Sequence, residues 1–158
     1  MKYILSPILL IILAIYSFAQ DCTEYHQFHC LYADYTYFYS RQSKSALFRK
    51  GQTSELKIVI YGGEDYYIAV CAHRKFGDLH FKILEDNEDS TLIYDNAEHD
   101  YANSVTFTNE VTRNAIIVVS VPGEPEKGKI ERRCVGVVIQ FRKTKTEKAE
   151  PSKKTGFK

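Results

Sequence analysis

The chain lacks the features that mark several large classes of protein. Among its 158 residues there is no tryptophan, one methionine and only four prolines, and the formal net charge is +1. A charge this close to zero argues against a strongly basic nucleic-acid binder and against an acidic ion sink. The sequence also has no phosphate-binding glycine loop, no dinucleotide fingerprint and no paired-carboxylate motif. What remains is a Tyr-rich chain long enough to bury one domain's core.

The N-terminus predicts an export signal. Lys2 precedes an apolar stretch, which ends in the small residues of Ser17-Phe18-Ala19, the order found in secretory signal peptides. Pro7 interrupts the apolar stretch, which is shorter than the roughly 20 residues that a membrane-spanning helix needs. We therefore expect residues 1–19 to be removed. The mature chain would begin at Gln20, in the periplasm or outside the cell, and would not span the membrane.

Short strands separated by turn residues account for most of the chain that follows. Apolar and polar residues alternate, so that Leu56, Ile58 and Ile60 share one face. Turns recur about every 8–12 residues without a convincing helix, which favours an antiparallel β-sandwich or jelly roll over an up-and-down barrel. Residues 62–65 are predicted to form a hairpin-like connection. The eight predicted strands are Ser43–Arg49, Leu56–Tyr61, Tyr66–Cys71, Leu79–Leu84, Thr91–Asp95, Ser104–Asn109, Arg113–Val121 and Cys134–Lys143.

The last fifteen residues, 144–158, differ in composition from the rest. They hold five lysines against two glutamates, with Pro151 and Gly156 and no apolar periodicity. Because such a segment buries little apolar surface, it predicts a disordered basic tail. The mature chain then divides into a Cys- and Tyr-rich N-terminal segment, 20–42, a β-sandwich domain, 43–143, and this tail.

Four cysteines in a chain with an export signal predict two disulfides. Alternation places Cys71 and Cys134 on the outward-facing sets of their strands. We therefore expect a Cys71–Cys134 bridge between neighbouring strands and a Cys22–Cys30 bridge that closes the N-terminal segment, although three connectivities are possible. Zinc is the alternative, because thiolates and imidazoles on one helical face could bind it. That candidate set is Cys22, His26, His29 and Cys30.

Aromatic residues are concentrated in the N-terminal segment, and tyrosine offers a flat apolar face with a polar end that suits peptide or carbohydrate binding. A second interpretation comes from the strands, whose outward positions hold more apolar surface than a soluble monomer exposes comfortably. We expect the segment to pack over that surface, with ligand binding as the alternative. The aromatic candidates are Tyr32, Tyr35, Tyr37, Phe38 and Tyr39, and the outward apolar residues are Val59, Tyr61, Tyr67, Ala69, Ile116, Val118 and Val138.

The acidic run at residues 85–89 offers Asp86, Glu88 and Asp89 as calcium ligands, since calcium takes six to eight oxygen atoms. The run lacks the alternating spacing of a calcium loop, and its Asp and Asn residues are typical of a solvated turn. We favour the turn and predict no cofactor.

No combination of residues in the sequence predicts catalysis. His73 and His80 are scattered along the chain, His99-Asp100 is a single adjacent pair, and no serine lies in a Gly-x-Ser-x-Gly elbow. No catalytic residue is therefore assigned.

Five short stretches carry a resemblance to known sequences: Ser43-Lys44-Ser45-Ala46-Leu47-Phe48, Lys50-Gly51-Gln52-Thr53, Leu92-Ile93-Tyr94-Asp95-Asn96, Cys134-Val135-Gly136-Val137-Val138-Ile139 and Lys154-Thr155-Gly156-Phe157. They resemble stretches of a group of exported bacterial proteins to which no function is assigned. The order of strands and turns also resembles, more loosely, bacterial pre-peptidase C-terminal domains, which are β-sandwiches associated with secreted enzymes and with noncatalytic binding. These resemblances imply a fold rather than an activity.

The sequence thus favours a noncatalytic exported module of the bacterial envelope that binds a protein or a surface glycan through a sheet face or edge. One alternative is a small secreted hydrolase whose site is not visible in the sequence, and a clustered His–carboxylate pocket would favour it. The other is a structural protein that assembles through strand edges. Nucleic-acid binding is not expected, because the lysine-rich tail would give only weak, salt-sensitive attraction.

Overall fold

A computed structural model describes residues 22–124 and 131–145, which form two antiparallel sheets packed face to face. This confirms the predicted all-β sandwich. The predicted signal peptide and the tail beyond residue 145 lie outside the described residues. The elements are α1 (Tyr25–His29), β1 (Phe38–Tyr39), β2 (Lys44–Phe48), β3 (Thr53–Ile60), β4 (Glu64–Ala72), β5 (His80–Glu85), β6 (Leu92–Asp95), β7 (Ser104–Asn109), β8 (Arg113–Ser120) and β9 (Arg133–Lys143), with 3₁₀ turns at Arg74–Phe76 and Asn96–His99.

The two sheets are named here by their long central strands. The β9 sheet has the order β1-β9-β4-β7, and β2 pairs with β9 as well. The β8 sheet has the order β3-β8-β5-β6. Each of the eight predicted strands is present, but β3 and β4 lie in different sheets, so the predicted hairpin at residues 62–65 is wrong. The connection crosses between sheets, and it needs Gly62 because a Cβ there would lie 2.6 Å from the Glu110 carbonyl oxygen.

The core lies between the inward faces of the two sheets. Ile68 and Ile139 from the β9 sheet meet Phe81, Ile83 and Ile117 from the β8 sheet, and all five are fully buried. Alternation along the strands selects these residues, as the sequence predicts. Full burial of such side chains supplies the main favourable term in folding, about 1.5–3 kcal/mol each.

Strand β8 is buried on one face only, although its continuous apolar run Ile116-Ile117-Val118-Val119 is typical of a strand buried on both. Ile117 and Val119 are buried, whereas Ile116 and Val118 are only half-buried because they face outward from the β8 sheet.

The four cysteines form two disulfides, but the predicted pairing is wrong. Cys22 bonds Cys134 and Cys30 bonds Cys71, with Cα–Cα distances of 5.4 and 5.0 Å. Cys71 lies opposite Gly136, two positions from Cys134. Diagonal neighbours on paired strands are about 7–8 Å apart, which exceeds the usual Cα spacing of a disulfide, at most about 7 Å. Cys71 and Cys134 therefore each bond a cysteine of the N-terminal segment rather than each other. The zinc alternative is excluded because it needs thiolates, and the four cysteines are oxidised.

Candidate functional site

The N-terminal segment lies on the outward face of the β9 sheet. Ala69 and Val138 point outward from their strands, yet both are fully buried, against Cys30 and its neighbours. Gly136 permits this approach, since a Cβ there would lie 2.8 Å from the Cα of His26. Three other outward apolar residues, Val59, Ile116 and Val118, belong to the β8 sheet, so the expectation that the segment packs over the whole outward apolar set is wrong.

His26 is the buried polar contact that fastens helix α1 to the strands. Its Nδ1 lies 2.6 Å from the Ser45 hydroxyl oxygen, and its Nε2 lies 2.7 Å from the Tyr39 hydroxyl oxygen. The backbone N–H of His26 also donates to Ser45 Oγ at 2.8 Å. Burial, the largest influence, lowers the pKa of His26. The folded segment therefore favours the neutral form of the His26 imidazole.

Arg142 on β9 holds the later part of the segment. Its guanidinium lies over the Tyr37 ring, 4.5 Å from the centroid, and donates to Thr36 Oγ1 and Asp65 Oδ2, both at 3.0 Å. The Ala33 N–H donates to the side chain of Gln140, also on β9, at 2.7 Å. Tyr37 packs edge-on against Tyr67. Disulfides at one end and this cluster at the other thus fix the segment over its length.

A second set of side chains on the same segment faces solvent. Six of the ten exposed large apolar side chains in the described part of the chain lie between residues 28 and 39. Tyr35 is 98% exposed and Phe28 is 77% exposed. Burial, and then the nearby Tyr39, raise the pKa of Tyr32. We call this set the aromatic surface: Phe28, Leu31, Tyr32, Tyr35, Phe38 and Tyr39.

The predicted calcium ligands lie in the turn between β5 and β6. Asp86 forms an ion pair with Lys57 at 3.1 Å, and Asn87 accepts from the Thr91 N–H at 3.1 Å. Glu88 and Asp89 are exposed. Within residues 22–124 and 131–145 no group of three or more acidic, His or Cys side chains could hold a metal ion.

A His–carboxylate pair that the sequence analysis did not identify lies on the outward face of the β8 sheet. His80 Nε2 is 2.8 Å from Asp95 Oδ1, and Lys82 Nζ is 2.9 Å from Asp95 Oδ2. Burial alone would raise the pKa of Asp95, but hydrogen bonds from Lys82, the Ala97 N–H and His80 lower it to about 2. Asp95 is therefore a carboxylate that orients the imidazole.

The loop after β6 carries Tyr101 to the side of this pair. Asn96 is fully buried and organises the loop, since its side chain accepts from the Phe81 N–H and donates to the Leu79 and Ala102 carbonyl oxygens at 2.8–3.0 Å. Tyr101 has a φ of +54°, a conformation that bulky residues rarely adopt. Its half-exposed ring stands edge-on to His80, with centroids 6.0 Å apart.

Comparisons with known proteins add little to this description. No protein-family model matches the chain, and no curated protein sequence matches it. Among solved structures, it is similar to PliG from Aeromonas hydrophila, a periplasmic inhibitor of g-type lysozyme, at 10% identity and a TM-score of 0.47 over 71% of this chain and 92% of that chain. A TM-score below 0.5 supports no argument about function. The two disulfides are consistent with an exported protein, and none of the helices in the described part is long and apolar enough to cross a membrane.

Proposed function

We propose that the protein is a noncatalytic binding module that holds a partner protein against the aromatic surface. The observation that carries this proposal is the outward orientation of six large apolar side chains within residues 28–39. Monomeric soluble proteins rarely expose such sets unless they bind something. Tyrosine and phenylalanine are also enriched at the centres of protein interfaces.

Rigidity supports the same proposal. The segment is tied to β9 and β4 by two disulfides, and between them His26 bonds Ser45 and Tyr39. Side chains on such a segment lose less freedom on binding than those on a loose loop, so more of the contact energy appears as affinity.

The hydrolase alternative has one observation in its favour, the His80–Asp95 pair. A serine is available in Ser120, which lies opposite His80 in the strand register. The Ser120 hydroxyl instead bonds the Thr53 hydroxyl at 2.8 Å. Among the described residues the pair therefore lacks an activated serine, and the aromatic surface is the better supported site.

Assembly through strand edges is less well supported. The free edge of β3 is blocked in part by Gln42, whose side-chain amide bonds both the N–H and the carbonyl oxygen of Val59, at 2.7 and 3.0 Å. Occupied backbone groups cannot pair with another chain's strand.

Capture from envelope extract with the immobilised mature protein, both disulfides formed, tests the proposal. The variant Phe28→Ser/Tyr35→Ser removes the two most exposed rings. The matched control is Tyr61→Ser/Val111→Ser, two apolar residues that are 54% and 65% exposed but lie outside the N-terminal segment. We expect the control to retain the protein captured by wild type, and the surface variant to lose it.

The magnitude follows from interface energetics. Truncating a central aromatic at an interface costs about 2 kcal/mol or more, which is a roughly 30-fold loss of affinity. Equal capture by wild type, control and surface variant would refute the proposal. Loss in both variants would also count against it, because the partner would then not depend on the aromatic surface.

A further inference from the structure

We propose that the face carrying His80 and Tyr101 is a second binding site, and that its ligand is a neutral oligosaccharide. The site consists of two adjoining depressions, of about 300 and about 480 Å³, that share Asp78 and Tyr101 as lining residues. We call their union the Tyr101 groove. Such volumes fall in the range that holds small ligands.

The geometry of the groove is fixed by the protein rather than left to the ligand. Asp95 orients the His80 ring, and the buried Asn96 side chain holds the loop that carries Tyr101. The loop is closed further by the Tyr101 N–H, which donates to the Asn96 carbonyl oxygen at 2.9 Å. Two consecutive residues, Asp100 and Tyr101, have positive φ. Backbone strain of this kind persists only where the surroundings enforce it, and it is concentrated at ligand sites.

The lining chemistry excludes two ligand classes. Anions such as phosphate need converging cations, but Lys82 is engaged by Asp95, and the groove itself adds the carboxylate of Asp78. A metal ion needs three or more suitable ligands, and none of the described residues form such a group. Anionic ligands and metal ions are therefore both disfavoured in the groove.

What the groove does offer is a half-exposed aromatic ring among hydrogen-bond donors and acceptors. Asp78 has no ion pair or hydrogen bond within the described residues and is free to accept hydroxyl hydrogens. His80 and Asn103 supply further polar atoms, while Leu31 and Pro122 supply apolar surface. A sugar ring has the complementary chemistry, because it presents C–H groups on its faces and hydroxyls at its edge, and tyrosine combines an apolar face with a polar end.

Amide NMR titration of the mature protein tests the inference, with cellotetraose, maltotetraose and chitotetraose as neutral probes and tetragalacturonate as the anionic comparator. We expect at least one neutral probe to shift amides at residues 77–80 and 101–103, and the comparator not to do so. Tyr101→Ala should weaken that binding roughly tenfold or more, about 1.4 kcal/mol. The matched control, Tyr61→Ala, removes a similarly exposed tyrosine at the opposite end of β3 and should bind as wild type does.

A second variant guards against loss of the loop's fold in Tyr101→Ala. Asp78→Asn keeps the shape of an exposed side chain while removing its charge and one acceptor. It should weaken binding and change the spectrum of the free protein only at residues next to position 78. The inference is overturned if no neutral probe binds, if Tyr101→Ala and Asp78→Asn both bind as wild type does, or if the shifts fall on residues 28–39 only. The aromatic surface meets the groove at Leu31, but Tyr101 and Asp78 lie outside it, so the effects of Tyr101→Ala and Asp78→Asn can be distinguished from the result of the capture experiment.

Discussion

Gly136 gives a direct test of how closely the N-terminal segment packs on the β9 sheet. A Cβ at this position would lie 2.8 Å from both Cα and Cβ of His26 and 3.0 Å from Cys30 Sγ. Contacts below 3.0 Å with backbone atoms force a movement, and helix α1 has little freedom to move because Cys22 and Cys30 bond it to two strands.

The magnitude of Gly136→Ala is a balance of two effects. Overpacking a tight contact costs about 1–3 kcal/mol. Replacing glycine by alanine within a strand gains about 0.5–1 kcal/mol, since glycine loses more freedom on folding. The net expectation is a loss of unfolding free energy of about 1 kcal/mol, within a range of about 0–2.5 kcal/mol.

Guanidinium unfolding with both disulfides intact measures this difference. Far-UV circular dichroism and tyrosine fluorescence are the signals, because the chain has no tryptophan. Thr106→Ala is the control, an exposed outward position on β7 of the same sheet, expected to change stability by no more than about 0.5 kcal/mol. If Gly136→Ala were instead more stable than wild type, only the strand gain would be acting, and the close packing of α1 on β9 would be refuted.

Three further predictions concern the disulfides, His26 and the loop that Asn96 organises. A chymotryptic digest under non-reducing conditions should contain a Cys22 peptide joined to a Cys134 peptide, and a Cys22–Cys30 crosslink would contradict the fold. Burial lowers the pKa of His26, so the unfolded chain takes up a proton on this residue at a higher pH than the folded chain does. The contribution of His26 to the unfolding free energy is therefore fully present above about pH 6.5 and is lost as the pH falls toward the lower folded pKa. His26→Gln should flatten this decline in urea unfolding between pH 7.5 and 5.5, and an unchanged slope would exclude His26 as its source. Asn96→Ala removes the side-chain partner of three backbone groups, two of them buried and one part-buried, and should cost about 2–4 kcal/mol in thermal or urea unfolding. A loss below about 0.5 kcal/mol would show that the loop is organised otherwise.

Strand positions could be predicted because alternation is a local property of the chain. All eight predicted strands are present, and each observed end lies within three residues of the predicted one. Sheet membership could not, since the turn after β3 looks the same locally whether β4 pairs with β3 or crosses to the other sheet. The pattern at residues 62–65 predicts a hairpin turn, but Gly62 has another role. It leaves room for the Glu110 carbonyl group, which lies in the crossover between β7 and β8.

The candidate sites show the same division. Composition identifies the aromatic segment, but it does not indicate which of its rings face the sheet. Tyr37 packs on Tyr67, whereas Tyr35 lies in solvent. The His80–Asp95 pair had a usable signal. In a hairpin around the predicted turn, Asp95 pairs with Lys82. Lys82 is two residues from His80 and lies on the same face of β5.

Shielding the β9 sheet does not by itself explain the aromatic surface. His26 and Cys30 cover Ala69, Val138 and Gly136 from the inward side of the segment. Positions that face away from the sheet could be polar without loss of cover, as Gln27 is. Rings as exposed as those of Phe28 and Tyr35 add little to the core and raise the risk of aggregation. A binding role accounts for both properties together, since it requires rings that face outward and a support, here two disulfides, that keeps them in place.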